Sequence, residues 1–117
     1  MSSVINVKFD EIEKATIVTI DETKVFDEMI VNLINDKINC FLDSSEKPNF
    51  ILDFSLVNYM SSSFLGKIIS INKKLKAKNQ RFILCGVNND IMEIFQITKL
   101  DKFFTFTKNL EETYTIL

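Results

Sequence analysis

Three consecutive serines, Ser61, Ser62 and Ser63, stand directly before an apolar stripe at helical spacing, Phe64, Ile68, Ile71 and Leu75. Hydroxyls in that position can accept hydrogen bonds from backbone N–H groups that the first helical turn leaves unpaired. One capping serine is worth about 1 kcal/mol, which accounts for one hydroxyl here but not for a run of them. Asp53 closes the apolar run Phe50-Ile51-Leu52, at the end of a strand where α/β proteins often place their sites. A catalytic carboxylate would need a partner, and the chain has no histidine. No second carboxylate is expected at that end either, so Asp53 is read as a structural acceptor for the loop that follows. The missing histidine excludes His-based acid–base chemistry, Ser-His-Asp and Cys-His nucleophiles, and imidazole-ligated zinc. Only Gly66 and Gly86 are glycines, too far apart for a phosphate-cradling loop or a dinucleotide fingerprint. Cys40 and Cys85 lie within apolar patterns and are expected to be small buried hydrophobes rather than disulfide partners. No catalytic residue, metal site or cofactor is expected.

The elements that must position these residues alternate between two periods. Val4–Phe9 and Ala15–Ile20 read as strands joined by a polar turn over Glu11–Lys14. From Phe26 the period becomes helical, with Ile30, Leu33, Ile34, Ile38 and Phe41 on one face. Phe50–Phe54 reads as a buried strand, Ser63–Lys78 as a helix ending near Asn79, and Arg81–Val87 as another buried strand. Asn88-Asn89-Asp90 caps a short helix through Ile91, Met92, Ile94 and Phe95, followed by a strand over Phe103–Phe106 and a helix over Leu110–Leu117. The order β-β-α-β-α-β-α-β-α implies an α/β fold with a mixed, mostly parallel sheet of about five strands and about four helices. Phe103, Phe104 and Phe106 are expected in the core, as are Met29, Met60 and Met92, with exposure beside the serines the alternative for Met60. Glu111 and Glu112 read as first-turn or solvated residues.

With 117 residues and 46% hydrophobic content, one domain over residues 1–117 is expected. Fourteen basic residues against 16 acidic ones give a net charge of −2. The densest basic stretch, Lys73, Lys74, Lys76 and Lys78, reads as the solvated face of one helix, so direct nucleic-acid binding is not expected. Neither a signal peptide nor a membrane span is read from the apolar runs, and a cytoplasmic location follows as an expectation.

The segment Ile51-Leu52-Asp53-Phe54-Ser55-Leu56-Val57-Asn58-Tyr59-Met60-Ser61-Ser62-Ser63-Phe64-Leu65-Gly66 resembles the signature of STAS domains of the anti-sigma factor antagonist type. In that family a buried strand ends in Asp-hydrophobic-Ser, a loop carries a β-branched residue and an aromatic, and Asp-Ser-Ser-Gly-Leu-Gly opens a helix. Asp53 and Ser55 match the strand end, Val57 and Tyr59 the loop, and Ser62, Ser63, Leu65 and Gly66 the helix start. Arg81–Cys85 and Asp90–Phe104 resemble the family's next strand and its short helix, turn and final strand. Two residues depart from the pattern: Ser61 replaces the usual Asp and Phe64 the usual Gly.

The resemblance implies a non-enzymatic switch that binds an anti-sigma factor with serine-kinase activity and thereby frees a sigma factor. It implies phosphorylation of Ser62, with Ser63 the second candidate, and resetting by a phosphoserine phosphatase. The expected partner surface is Tyr59, Met60, Ser61, Ser62, Ser63 and Phe64, with Asp53, Ser55 and Gly66 as structural support. Phe64 either packs inward or presents partners with an altered surface. A monomer or weak homodimer is expected. The altered loop leaves a second role open, a STAS scaffold or oligomerisation module that is not phosphorylated. A small-molecule sensor or enzyme on the same fold is the third alternative.

Overall fold

The computed structural model describes residues 6–117. In chain order its elements are β1 (Val7–Ile12), β2 (Ala15–Ile20), β3 (Lys24–Val25), α1 (Glu28–Ser44), β4 (Asn49–Asp53) and β5 (Tyr59–Met60). They continue with α2 (Ser62–Ala77), β6 (Arg81–Cys85), α3 (Asn89–Ile97), β7 (Thr105–Thr107) and α4 (Leu110–Thr115). One five-stranded sheet runs β1-β2-β4-β6-β7; only the β1–β2 hairpin is antiparallel. The α/β architecture with its mixed sheet and four helices is the one expected.

The sheet has two buried faces. Val18, Ile20, Phe50, Leu52, Phe82 and Leu84 point toward a core shared with α1, α2 and α3. Alternate residues of the same strands, Ala15, Ile17, Ile51, Ile83 and Cys85, form a smaller cluster beside Leu110 of α4 and Leu117. Burial of every residue of β4 explains its unbroken apolar run: a central parallel strand has no solvent face.

Several boundaries differ from expectation. Val4 and Ile5 lie outside the described residues, and β1 runs on through Ile12, leaving only Glu13 and Lys14 for the turn. Helix α1 starts two residues later than the apolar period suggested, because the Asp27 carboxylate accepts from the Met29 and Ile30 N–H groups at 3.0 and 3.4 Å. Its fully buried positions are Val31, Ile34, Ile38 and Leu42, while Leu33 and Phe41 are half-buried. The last strand is Thr105–Thr107, and Phe103 is 62% exposed rather than in the core. Phe104 and Phe106 are half-buried and pack edge-on against Phe95, at 5.4 and 5.2 Å between centroids, at the margin of the core.

Cys40 is exposed, whereas Cys85 is buried as expected. Cys40 falls midway between the buried Ile38 and Leu42 of α1, on the helix's solvent side. Burial pushes the Cys85 thiol above its usual range; hydrogen bonds to Thr113 and Thr107 oppose this, and the charges of Asp53 and Glu112 add to it. One thiol should therefore react with a maleimide in the native protein, the second only on unfolding. Mass spectrometry of labelled peptides would show this, and native labelling at Cys85 would contradict the burial.

Candidate functional site

The structure gathers the signature residues at the carboxyl end of β4. Asp53 is 5% exposed, and its Oδ1 accepts the Ser55 backbone N–H at 2.9 Å. That bond turns the chain out of the sheet: Ser55 and Leu56 are exposed while Val57 folds back into the core. The Phe54 N–H donates to the Cys85 carbonyl at 2.7 Å. Gly86 follows with φ +73°, and a Cβ there would sit 3.1 Å from the backbone N and Cα of Ser55. A Gly86→Ala substitution combines left-handed strain with this close approach and should cost about 1–3 kcal/mol, read as a lower denaturant midpoint. An unchanged midpoint would mean that β4 and β6 do not meet the loop this tightly.

The chain then forms β5, paired in parallel with β3. The pairing puts the Ser61 N–H on the Val25 carbonyl at 2.9 Å and the Asn58 N–H on the Thr23 carbonyl at 2.8 Å. This small ribbon had no signal in the sequence, since each strand has two residues, too few for a period. Its consequence is large, because it sets the starts of α1 and α2 side by side. Asn88, the cap of α3, secures the same loop by donating to the Val57 and Asn58 carbonyls at 3.3 and 3.1 Å.

The serine run divides its labour. Ser61 is the cap of α2, its Oγ accepting the Phe64 N–H at 3.3 Å. Ser61→Ala should lower stability by about 0.5–1 kcal/mol, and Ser61→Asp should restore it, since an anion suits a helix start. Equal denaturation midpoints for the Ala and wild-type forms would contradict the cap. Ser63 is half-buried and donates its hydroxyl to Glu28 Oε1 of α1 at 3.2 Å. Ser62 is exposed. It opens a helix whose own first turn carries no acidic residue; the Glu28 carboxylate reaches that start from α1 and is engaged at Ser63.

Around the serines lies an apolar patch. Phe26 and Tyr59 meet edge-on at 5.7 Å and are 52% and 58% exposed, with Met29 77% and Leu56 44% exposed nearby in the chain. Tyr59 is on the surface as expected, whereas nothing in the sequence pattern places Phe26 and Leu56 there. Met29 was read as packing, but it sits in the first turn of α1, beyond the point where the sheet covers that helix. Two residues named in the expected partner surface lie inside. Met60 is 3% exposed because the β3–β5 pairing turns its side chain inward, and Phe64 is 0% exposed, packed 6.3 Å from Phe54. Phe64 thus packs inward. Gly66 is exposed, with nothing within 4 Å of an added Cβ, so no close approach requires glycine there.

Asp53 also lines a cavity of about 330 Å³ with Ser55, Asn109, Leu110 and Glu111. Glu111 at that cavity corrects the expectation that no second carboxylate reaches this end. It arrives from the first turn of α4, a distance in sequence over which spacing carries no signal. No group of three or more His, Cys, Asp or Glu side chains among the described residues could hold a metal ion. No helix among them is long and apolar enough to cross a membrane.

Comparison with known proteins agrees with this geometry. An anti-sigma factor antagonist (STAS) domain protein from Planctomyces limnophilus superposes with a TM-score of 0.83 at 18% identity, over 95% of this chain and 96% of that one. An anti-sigma factor antagonist from Mycobacterium paratuberculosis gives 0.81 at 18% identity, over 94% and 91%. The phosphorylated form of the Bacillus cell fate determinant SpoIIAA gives 0.67 at 17% identity, over 95% and 99%. At these identities the superpositions speak for the fold. The STAS domain profile matches residues 6–113, nearly the whole sequence, and the chain belongs to the STAS domain family.

Proposed function

We propose that this STAS domain is an anti-sigma factor antagonist that binds an anti-sigma factor kinase and is released by phosphorylation of Ser62. The observation that carries the reading is the placement of Ser62, the exposed member of the serine run, at a helix start that closely follows the exposed Tyr59, itself paired with the exposed Phe26. An apolar patch rimmed by polar residues is the usual mark of a protein contact. That one similar structure is a phosphorylated antagonist supports the same direction.

In the proposed step the partner transfers the γ-phosphoryl of its ATP to Ser62 Oγ. The bond from the β,γ-bridging oxygen to the γ-phosphorus breaks, the Oγ–P bond forms, and ADP and the hydroxyl proton leave. The fold tolerates the product because a helix start favours an anion. A phosphatase would reverse the step by hydrolysis. Ser63 is the poorer acceptor, since a phosphate there would displace its hydrogen bond and face the Glu28 carboxylate.

The patch can be tested without touching the serines. Tyr59→Ser combined with Met29→Ser should abolish co-purification of an ATP-binding anti-sigma factor from the native cells, with the variant's melting temperature unchanged. Retention of that partner at wild-type yield would sink the surface assignment. The departure at Ser61 favours a second reading, in which a domain lacking the family's Asp is a scaffold that no kinase modifies; absence of phosphate on Ser62 would select it.

A further inference from the structure

On the far half of α2, away from the serines, the surface closes into a groove of about 270 Å³. Its floor is apolar: Ile69 of α2, with Leu100 and Phe104 from the connection between α3 and β7. Phe103 forms an outer wall and is 62% exposed. The wall is held there by the end of α3. Lys99 adopts φ 61°, and the Leu100 and Lys99 N–H groups return to the Phe95 and Gln96 carbonyls at 2.8 and 3.0 Å. This Schellman closure folds Leu100 back toward the core, and Phe104 follows it inward, which leaves Phe103 facing out.

The rim carries charge. Lys73 and Lys76 of α2 line the groove one turn apart, with Asn72 beside them. Neither ammonium has a hydrogen bond or an acidic partner among the described residues. The other lysines of that helix end are engaged. Lys74 Nζ donates to Asn39 Oδ1 at 2.6 Å, and Lys78 Nζ to the Leu42 and Ser45 carbonyls at 2.6 and 3.1 Å. A helix C-terminus favours cations in general. That preference does not explain why the two unpaired cations stand on the side with the hollow.

We infer that this groove is a binding site for a medium-chain alkyl carboxylate, the chain lying against Ile69, Leu100, Phe103 and Phe104 and the carboxylate between Lys73 and Lys76. The volume is below the usual range for drug-sized ligands, which suits a single flexible chain better than a fused-ring metabolite. The occupant brings what the surface lacks, an anion for the rim and methylenes for the exposed aromatic wall. The site is independent of Ser62 and of any partner protein.

Titration of the full-length, isotopically labelled protein with decanoate, followed by amide NMR, tests this. Saturable shifts should centre on Ile69, Lys73, Lys76, Leu100 and Phe103, with a Kd on the order of 0.1 mM, within the range that a ligand of that size can reach. The cation decyltrimethylammonium should bind about tenfold more weakly or worse, because the rim would repel it. The double variant K73Q/K76Q and the variant F103A should each weaken decanoate binding by about tenfold while leaving the spectrum outside the groove unchanged. Equal affinity for the anion and the cation, shifts centred elsewhere, or no saturation below about 2 mM decanoate would each overturn the assignment.

Discussion

Ser62→Glu is expected to weaken binding of the anti-sigma factor partner by at least about tenfold, roughly 1.4 kcal/mol, with no loss of fold stability. Ser62 is exposed and makes no hydrogen bond that the fold uses, so its replacement leaves the core untouched. The first turn of α2 has no acidic residue of its own, and Glu28 is engaged at Ser63, so a carboxylate at position 62 suits the helix start. The interface is affected differently. A surface that fits a neutral hydroxyl beside Phe26 and Tyr59 would have to desolvate a charge, and an unpaired charge in a contact is costly. Phosphate, with roughly −1.5 to −2 charges, should act more strongly than glutamate. Ser63→Glu is a useful control, because it meets Glu28 and should lose stability as well as affinity. Titration calorimetry against the purified partner separates the two outcomes. Unchanged affinity for Ser62→Glu would remove Ser62 from the interface.

Phe64→Ala carries the largest expected cost in stability, about 3–5 kcal/mol. The ring is fully buried against Phe54, on the stripe that α2 shares with Ile68, Ile71 and Leu75. Removing it leaves a cavity that β4 and β6, held by their ladder, cannot collapse into. For a domain this small such a loss approaches the whole margin of stability, and the melting temperature should fall by well over 10 °C. Phe64→Leu should recover most of it, within about 1.5 kcal/mol of wild type. If the Ala variant melts within a few degrees of wild type, the ring is not packed as described. Together the two substitutions distinguish surface from core: Ser62→Glu should change binding alone, Phe64→Ala stability first.

The sequence made the sheet legible because β2, β4 and β6 are short apolar runs between helical periods, and buried parallel strands have no other pattern. The serine run and Asp53 were legible through their resemblance to a family signature rather than through spacing. What spacing could not show is which side of the surface each residue takes. Met60 and Tyr59 are neighbours that face opposite ways, and their orientation depends on a ribbon with two residues in each strand. Phe26 and Met29 reach the patch only because that ribbon draws the start of α1 to the start of α2. Phe103 resembled its neighbours Phe104 and Phe106 in type, and the closure at Lys99, which turns it outward, has no glycine to announce it. Glu111 reaches the Asp53 cavity through the sheet's far edge, a contact between segments distant in sequence.

Phosphosite mapping by intact mass and peptide sequencing, on protein isolated from its native cells with and without stress, tests the central claim most directly. The account predicts a single phosphate on Ser62 whose occupancy changes between conditions, with the anti-sigma factor bound only to the unmodified form. A chain that carries no phosphate in any condition, or carries it on Ser63 with the partner still bound, would contradict it.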